Sequence, residues 1–159
     1  MSTNTRFAVA VHVLTVLAWS GNEPVKSDGV ATSVNTNPVV IRRTLCALSR
    51  AGLVTSQTGA AGGSRLARQP GQITLLEVYR AVEGGGIFSL HRQPPSMSCP
   101  VGMHIETVLE DVFEEVQTAV ERVLAKITIA QVLQKVGPCL TAGRKKAKAK
   151  TASVRLNAR

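Results

Sequence analysis

Residues 35–67 read NTNPVVIRRTLCALSRAGLVTSQTGAAGGSRLA, and this stretch decides the fold. Asn35-Thr36-Asn37-Pro38 is a tight break in which Asn37 suits a helix cap and Pro38 the first helical position, where its missing N–H is not needed. Ile41, Leu45 and Leu48 then recur at helical spacing, so a helix runs from 38 to about 51 with those three on its buried side. Arg42, Arg43 and Arg50 fall off that stripe. Gly52 stops the helix, because the residue past a C-cap takes a left-handed conformation that glycine adopts freely. Residues 53–58 read as a strand, Gly59-Ala60-Ala61-Gly62-Gly63 as a loop of small residues, and 64–67 as a short return strand.

Upstream, residues 3–20 read as a helix in which Phe7, Val11, Leu14 and Ala18 form one stripe, widened by Val9, Val13, Val16 and Leu17. Thr3 or Thr5 is its candidate cap, and Gly21 follows its end. A short helix over 27–34 takes Ser27 as its N-cap. Downstream, Pro70-Gly71 closes the hairpin, and Thr74 caps a helix that buries Leu75, Val78 and Val82 and ends at Gly84-Gly85-Gly86. Residues 87–99 form a loop, and a long helix is expected from near Pro100 to about Ala125. Ile105, Leu109, Val112, Val116, Val120 and Val123 make its apolar stripe, with Glu106, Glu110, Asp111, Glu114, Glu115 and Glu121 facing outward. A last short helix covers 128–136. From Gly137 the chain is rich in Lys and Ala, lacks a core pattern and is expected to be disordered.

Helix, helix, turn, helix and a glycine-tipped hairpin make the plan of a winged helix-turn-helix domain: mainly α with a small β-hairpin. The long helix has little company in so small a domain, and pairing with its own copy buries its stripe. The chain therefore divides into a winged domain at 1–83, a connecting and candidate sensor loop at 84–100, dimerisation helices at 101–136 and a basic tail at 137–159. In this plan the second helix of the motif enters a DNA major groove by its N-terminal end, here Thr36, Asn37, Val39, Val40 and Arg43. Asn and Arg read base edges, and Val meets a thymine methyl. The backbone at Gly62 and Gly63, together with Arg65, approaches phosphate, and Arg6 and Arg42 are further phosphate candidates.

The charge agrees. Residues 1–80 hold eight Lys/Arg against three acids, 81–143 hold four against seven, and 144–159 hold seven against none. A basic first part beside an acidic middle points to a polyanionic partner, double-stranded DNA. No apolar run reaches the roughly 20 residues of a membrane span, and a cytoplasmic protein is expected. There are no paired catalytic carboxylates, no nucleotide loop and no nucleophile motif. Gly59-x-x-Gly62-Gly63 precedes a strand, so it does not open a phosphate-binding helix. The reading is not an enzyme.

Four motifs in order resemble the Rrf2 family of bacterial transcription regulators over residues 1–136. They are Arg6-Phe7-Ala8-Val9, then Leu45-x-x-Leu48-x-x-Ala51-Gly52-Leu53-Val54, then Gly59-x-x-Gly62-Gly63-x-x-Leu66-Ala67, then Ile73-Thr74-Leu75-x-x-Val78-x-x-Ala81-Val82-Glu83-Gly84. The resemblance implies a homodimeric, sequence-specific regulator, expected to be a repressor on a roughly palindromic operator. Two departures keep the operator from being carried over. Many members have an aromatic residue where this chain has Val40, and their wing often reads Arg-Gly-Pro-Gly-Gly-Gly where Thr58-Gly59-Ala60-Ala61-Gly62-Gly63 stands here.

The cluster-binding branch of that family holds an iron–sulfur cluster on three cysteines in the loop before the long helix. Only Cys99 lies there in this chain, so no cluster and no metal is expected, although His91 and His104 are conceivable co-ligands. Cys99 is the first candidate redox sensor, at an expected helix N-terminus where the dipole favours thiolate; an apolar staple would use Cys equally well. Cys46, the second candidate, reads as a small packed residue whose oxidation would disturb DNA contact. Cys139 gives no clear signal. An unknown small-molecule or redox signal is a conceivable partner. Two rival readings stand: a non-specific architectural binder acting through the basic tail, and an adaptor whose winged fold no longer reads DNA.

Overall fold

The computed structural model describes residues 5–21, 23–59 and 62–137. In chain order the elements are α1 (Thr5–Trp19), α2 (Ser27–Val34), α3 (Pro38–Arg50), β1 (Val54–Gln57), β2 (Gly63–Leu66), α4 (Leu75–Val82) and α5 (Ile105–Leu124), with 129–137 helical as α6. The tail beyond 137, with Cys139, and the candidate cap Thr3 lie outside the described residues. No helix among the described residues is long and apolar enough to cross a membrane.

One core holds α1 to α4 and the hairpin together. The face of α1 that is fully buried is Ala10, Val13, Leu14 and Leu17, one step round from the expected stripe; Phe7, Val11 and Ala18 are half-buried. Because α3 and α4 both pack on α1, the face they share becomes the centre. Phe7 instead meets Tyr79 edge-on, with centroids 5.9 Å apart. In α2, Ser27 is the first helical residue and not the cap; Lys26 holds the cap position without a side-chain bond. Asn35, at φ 55°, turns the chain out of α2. Asn37 then caps α3, its Oδ1 accepting from the Val39 N–H at 2.8 Å, and Pro38 follows at the first helical position. Ile41, Leu45 and Leu48 are buried as their spacing predicts.

The hairpin pairs antiparallel from Val54↔Leu66 to Gln57↔Gly63. A single bridge, Val25↔Ser64, adds a third strand position, with both N–H···O bonds at 2.9 Å. Gly62 and Gly63 of the wing each have an internal reason. A Cβ on Gly62 would stand 2.2 Å from the Gln57 carbonyl oxygen, and one on Gly63 2.9 Å from that of Val25.

Thr74 opens α4 with a reciprocal cap: its hydroxyl accepts from the Glu77 N–H at 3.3 Å, and Glu77 accepts from the Thr74 N–H at 2.9 Å. Arg68, just past the wing, donates to the other Glu77 oxygen at 2.7 Å. Partial burial pushes the Glu77 carboxyl up, but the Thr74 N–H and Arg68 outweigh it and hold it below the usual carboxylate range. Its contribution is therefore present at neutral pH and is lost as pH falls through that lowered value.

The segment 97–104 is in turns, so α5 starts at Ile105 and not near Pro100. Here the chain folds back on itself: the Cys99 N–H donates to the Ser96 carbonyl at 3.2 Å, and a Cβ on Gly102 would stand 2.3 Å from that same oxygen. After α5 the chain returns to the winged core. The Leu75 N–H donates to the Ile127 carbonyl at 2.8 Å, the Ile129 N–H donates to that of Ile73 at 3.0 Å, and Ile129 is fully buried. Thr128 and Gln131 repeat the reciprocal cap at the start of α6. No residue of α5 is fully buried. Of the expected stripe, Val112 and Val123 are exposed; Phe113 and Leu124, which lie outside that stripe, turn inward, Phe113 stacking on Phe88 of the loop at 5.2 Å. Glu121, expected to face outward, is bonded to Arg80 of α4 at 2.5 Å.

Candidate nucleic-acid interface

Because Ile41, Leu45 and Leu48 point into the core, α3 presents the opposite stripe to solvent. That stripe is Val39, Arg43, Cys46 and Arg50, at steps of four, three and four residues. At its N-terminal end Val39 and Val40 are 47% and 41% exposed, an unfavourable placement for valine that contact with thymine methyls would relieve. Asn37 is exposed, but its side-chain oxygen is engaged in the cap; Thr36 is half-buried.

Between α3 and the wing lies an open groove of about 810 Å³. It gathers Arg42 and Cys46 of α3 with Gly62 and Gly63 of the wing, all singled out from sequence. Lys26, Ser49, Arg50 and Ser56 also line it and were missed as site residues. Arg50 had the signal, since it falls off the buried stripe; Lys26 is placed there only by the Val25↔Ser64 bridge, which pulls the start of α2 against the wing. Among the described residues the groove carries three cations and one acid, Asp28, whose Oδ1 is 3.5 Å from Arg42 Nη2. Arg65 is exposed on β2, where strand alternation sets it opposite the inward-facing Ser64. Arg6 is exposed near the start of α1 and does not line the groove.

The two candidate thiols differ from expectation. Cys46 is exposed in the groove and is not a packed core residue, because the helical turn that buries Leu45 and Leu48 sends Cys46 to the exposed stripe. Cys99 is also exposed, six residues ahead of α5 and not at its N-terminus. The backbone N–H groups of Gly102 and Val101 hold its thiol below the ordinary value, a local turn doing what the helix dipole was expected to do. His91 Nδ1 lies 4.0 Å from Glu106 Oε1, and His104 holds the cap position of α5 without a side-chain bond. Among the described residues no three His, Cys, Asp or Glu side chains converge as metal ligands.

A profile of the Rrf2 family, described as "Iron-dependent Transcriptional regulator", matches residues 3–135. The loop before α5 carries one cysteine, Cys99. YwnA of Bacillus subtilis (strain 168), assigned as an HTH-type transcriptional regulator, is 44% identical over 131 residues, 82% of this chain and 96% of that protein. The solved structure of T. potens IscR is 28% identical with a TM-score of 0.65, covering 86% of this chain and 88% of that one. A solved structure from Lactobacillus plantarum, assigned as a transcriptional regulator, is 25% identical with a TM-score of 0.74 over 92% of this chain and 99% of that one. With an exposed helix face beside a cationic groove and wing, and with these matches along nearly its whole described length, the chain belongs to the Rrf2 family of winged helix, DNA-binding transcriptional regulators.

Proposed function

We propose that the chain is a homodimeric repressor that reads a two-fold operator, each copy laying the Val39–Arg43–Cys46–Arg50 face of α3 into one major groove. The observation that carries this is the exposure of that whole stripe, cation and valine alike, directly opposite the core. Arg43 and Arg50 suit base edges or phosphate, and Lys26, Arg42 and Arg65 suit the backbone between α3 and the wing. Val108, Val112, Ala119 and Val123 form an exposed apolar stripe on α5, which supports pairing with a second copy. Such a dimer needs no further surface to repress, since occupying a promoter excludes other proteins from it.

The reading uses no cluster. It takes the DNA target to lie in the cytoplasm. A thiol response is part of it: Cys46 lies where DNA would cover it, and Cys99 carries the more acidic thiol. The test is selection of sites from a random duplex pool at roughly 150 mM salt, with and without a thiol oxidant. A palindromic consensus whose half-sites lie one or more helical turns apart is the expected result, and its loss on oxidation would assign the thiol response. No enriched sequence would sink the specific reading in favour of an architectural binder using the seven basic residues of 144–159.

A further inference from the structure

No residue of the long helix is fully buried, and Leu124 at its end is only half-buried against the core, so deep packing alone does not set its angle to the reading unit. A directional polar joint stands there instead. Arg80 of α4 donates to one oxygen of Glu121 at 2.5 Å, and Gln117 donates to the other at 2.8 Å. Gln117 in turn accepts from the Ile87 N–H at 3.3 Å, which fastens the loop after α4 to the same point. Glu121 is the less exposed partner, at 28% against 63% for Arg80, and both its oxygens are occupied. Gln117 and then Arg80 hold its carboxyl below the usual range, so it is charged at neutral pH. One turn earlier on α4, Glu77 is tied to Arg68 at the base of the wing. Helix α4 is thus fastened to the wing at one end and to α5 at the other.

We propose that Glu121, held between Arg80 and Gln117, is the positioning residue that fixes the angle of the reading unit on α5, and with it the half-site spacing a dimer accepts. This rests on the dimeric reading above. A reader attached to a paired helix can engage two half-sites together only if its orientation is held; a loose joint lets each copy bind its half-site while the pair tolerates the wrong spacing. The carboxylate acts through geometry and touches no DNA.

The test titrates the full chain against three labelled duplexes: one half-site, the selected palindrome, and that palindrome with two base pairs added at its centre. Two base pairs turn one half-site by about 70° around the helix axis. Wild type is expected to prefer the selected spacing by at least about tenfold, the gain from engaging both sites at once. Glu121→Ala and Arg80→Ala should each cut that preference to within about threefold while half-site affinity holds. The double variant should be no worse than either single one, as for two groups acting through one contact. An unchanged spacing preference in both single variants overturns the proposal. So does an equal fall in half-site affinity, which would make the pair a support of the reading unit's fold, or additive losses in the double variant. Failure of the dimeric reading shows separately: wild type itself would not prefer two half-sites to one.

Discussion

Among the described residues Asp28 is the one acid in the groove between α3 and the wing, and replacing it by Asn should tighten DNA binding. Its carboxylate stands 3.5 Å from the Arg42 guanidinium, with side chains 74% and 63% exposed. An exposed pair of this kind contributes at most about 1 kcal/mol. Releasing Arg42 to a phosphate therefore strengthens binding by up to about fivefold per protomer, at about 1.4 kcal/mol per factor of ten. For a dimer the limit is about 25-fold on the same basis. The salt dependence supplies a second, independent number. Each added phosphate contact steepens the slope of log K against log salt by about 0.9, so two freed arginines add nearly ~2. Fluorescence anisotropy of a labelled duplex between roughly 50 and 200 mM salt reads both quantities. Asp28 also sits in the first turn of α2, where a negative charge favours the helix N-terminus by up to about 1 kcal/mol. That loss should lower the melting temperature without weakening DNA binding. Unchanged affinity and slope would refute the idea that Arg42 meets phosphate, and weaker binding would make Asp28 a contact in its own right.

Other consequences follow from single positions. Ile129→Ala removes a fully buried side chain that follows α5 in sequence but packs in the winged core, so denaturant unfolding should show a loss of about 2–5 kcal/mol; a loss below about 1 kcal/mol would mean that this segment does not belong to that core. Gly62→Ala would set a Cβ 2.2 Å from the Gln57 carbonyl oxygen, so the wing turn must rearrange and DNA affinity should fall while the far-UV spectrum stays helical. The Val101 and Gly102 N–H groups lower the Cys99 thiol, so its thiolate is present above that lowered value and its alkylation should reach half-maximal rate below the ordinary thiol range. Peptide mass spectrometry across a pH series reads this, and a midpoint that does not rise on denaturation contradicts the turn as its cause. Thr74→Ala removes one half of the α4 cap and should lower stability by about 1 kcal/mol in thermal melts.

Most of the reading unit was legible because its signals are local. Asn37-Pro38 and Gly52 fix both ends of α3, and three buried positions at helical spacing leave the opposite face in solvent. The Thr74 cap was equally plain, since a Thr and the Glu three residues on satisfy each other's backbone groups wherever they occur. What escaped depends on contacts between distant segments. Lys26 joins the groove because Val25 pairs with Ser64, 39 residues later in the chain. Cys46 was read as packed because its neighbour Leu45 is buried, although a single residue step on a helix turns a side chain by about 100°. The late start of α5 rests on Gly102 fitting against the Ser96 carbonyl, which no periodicity records.

The long helix shows why periodicity alone stops short of an interface. At about 100° per residue, its apolar residues cover nearly half the circumference, and the stripe from Ile105 to Val123 is the centre of that arc. Tertiary packing splits the arc: Phe113, Val116, Val120 and Leu124 turn toward the rest of the chain, while Val108, Val112, Ala119 and Val123 stay in solvent. Hydrophobicity does not choose between these flanks, since either would bury similar side chains. Glu121 does choose. The Arg80 bond to Glu121 and the Ile87 N–H bond to Gln117 both come from outside α5 and together favour one rotation of the helix, while the Gln117–Glu121 bond lies within α5 and orients the carboxylate. An apolar residue in its place would add buried area on the packed side while removing the directional bonds that hold that rotation. The charged residue that breaks the expected pattern therefore goes with the rotation that leaves the valine flank in solvent.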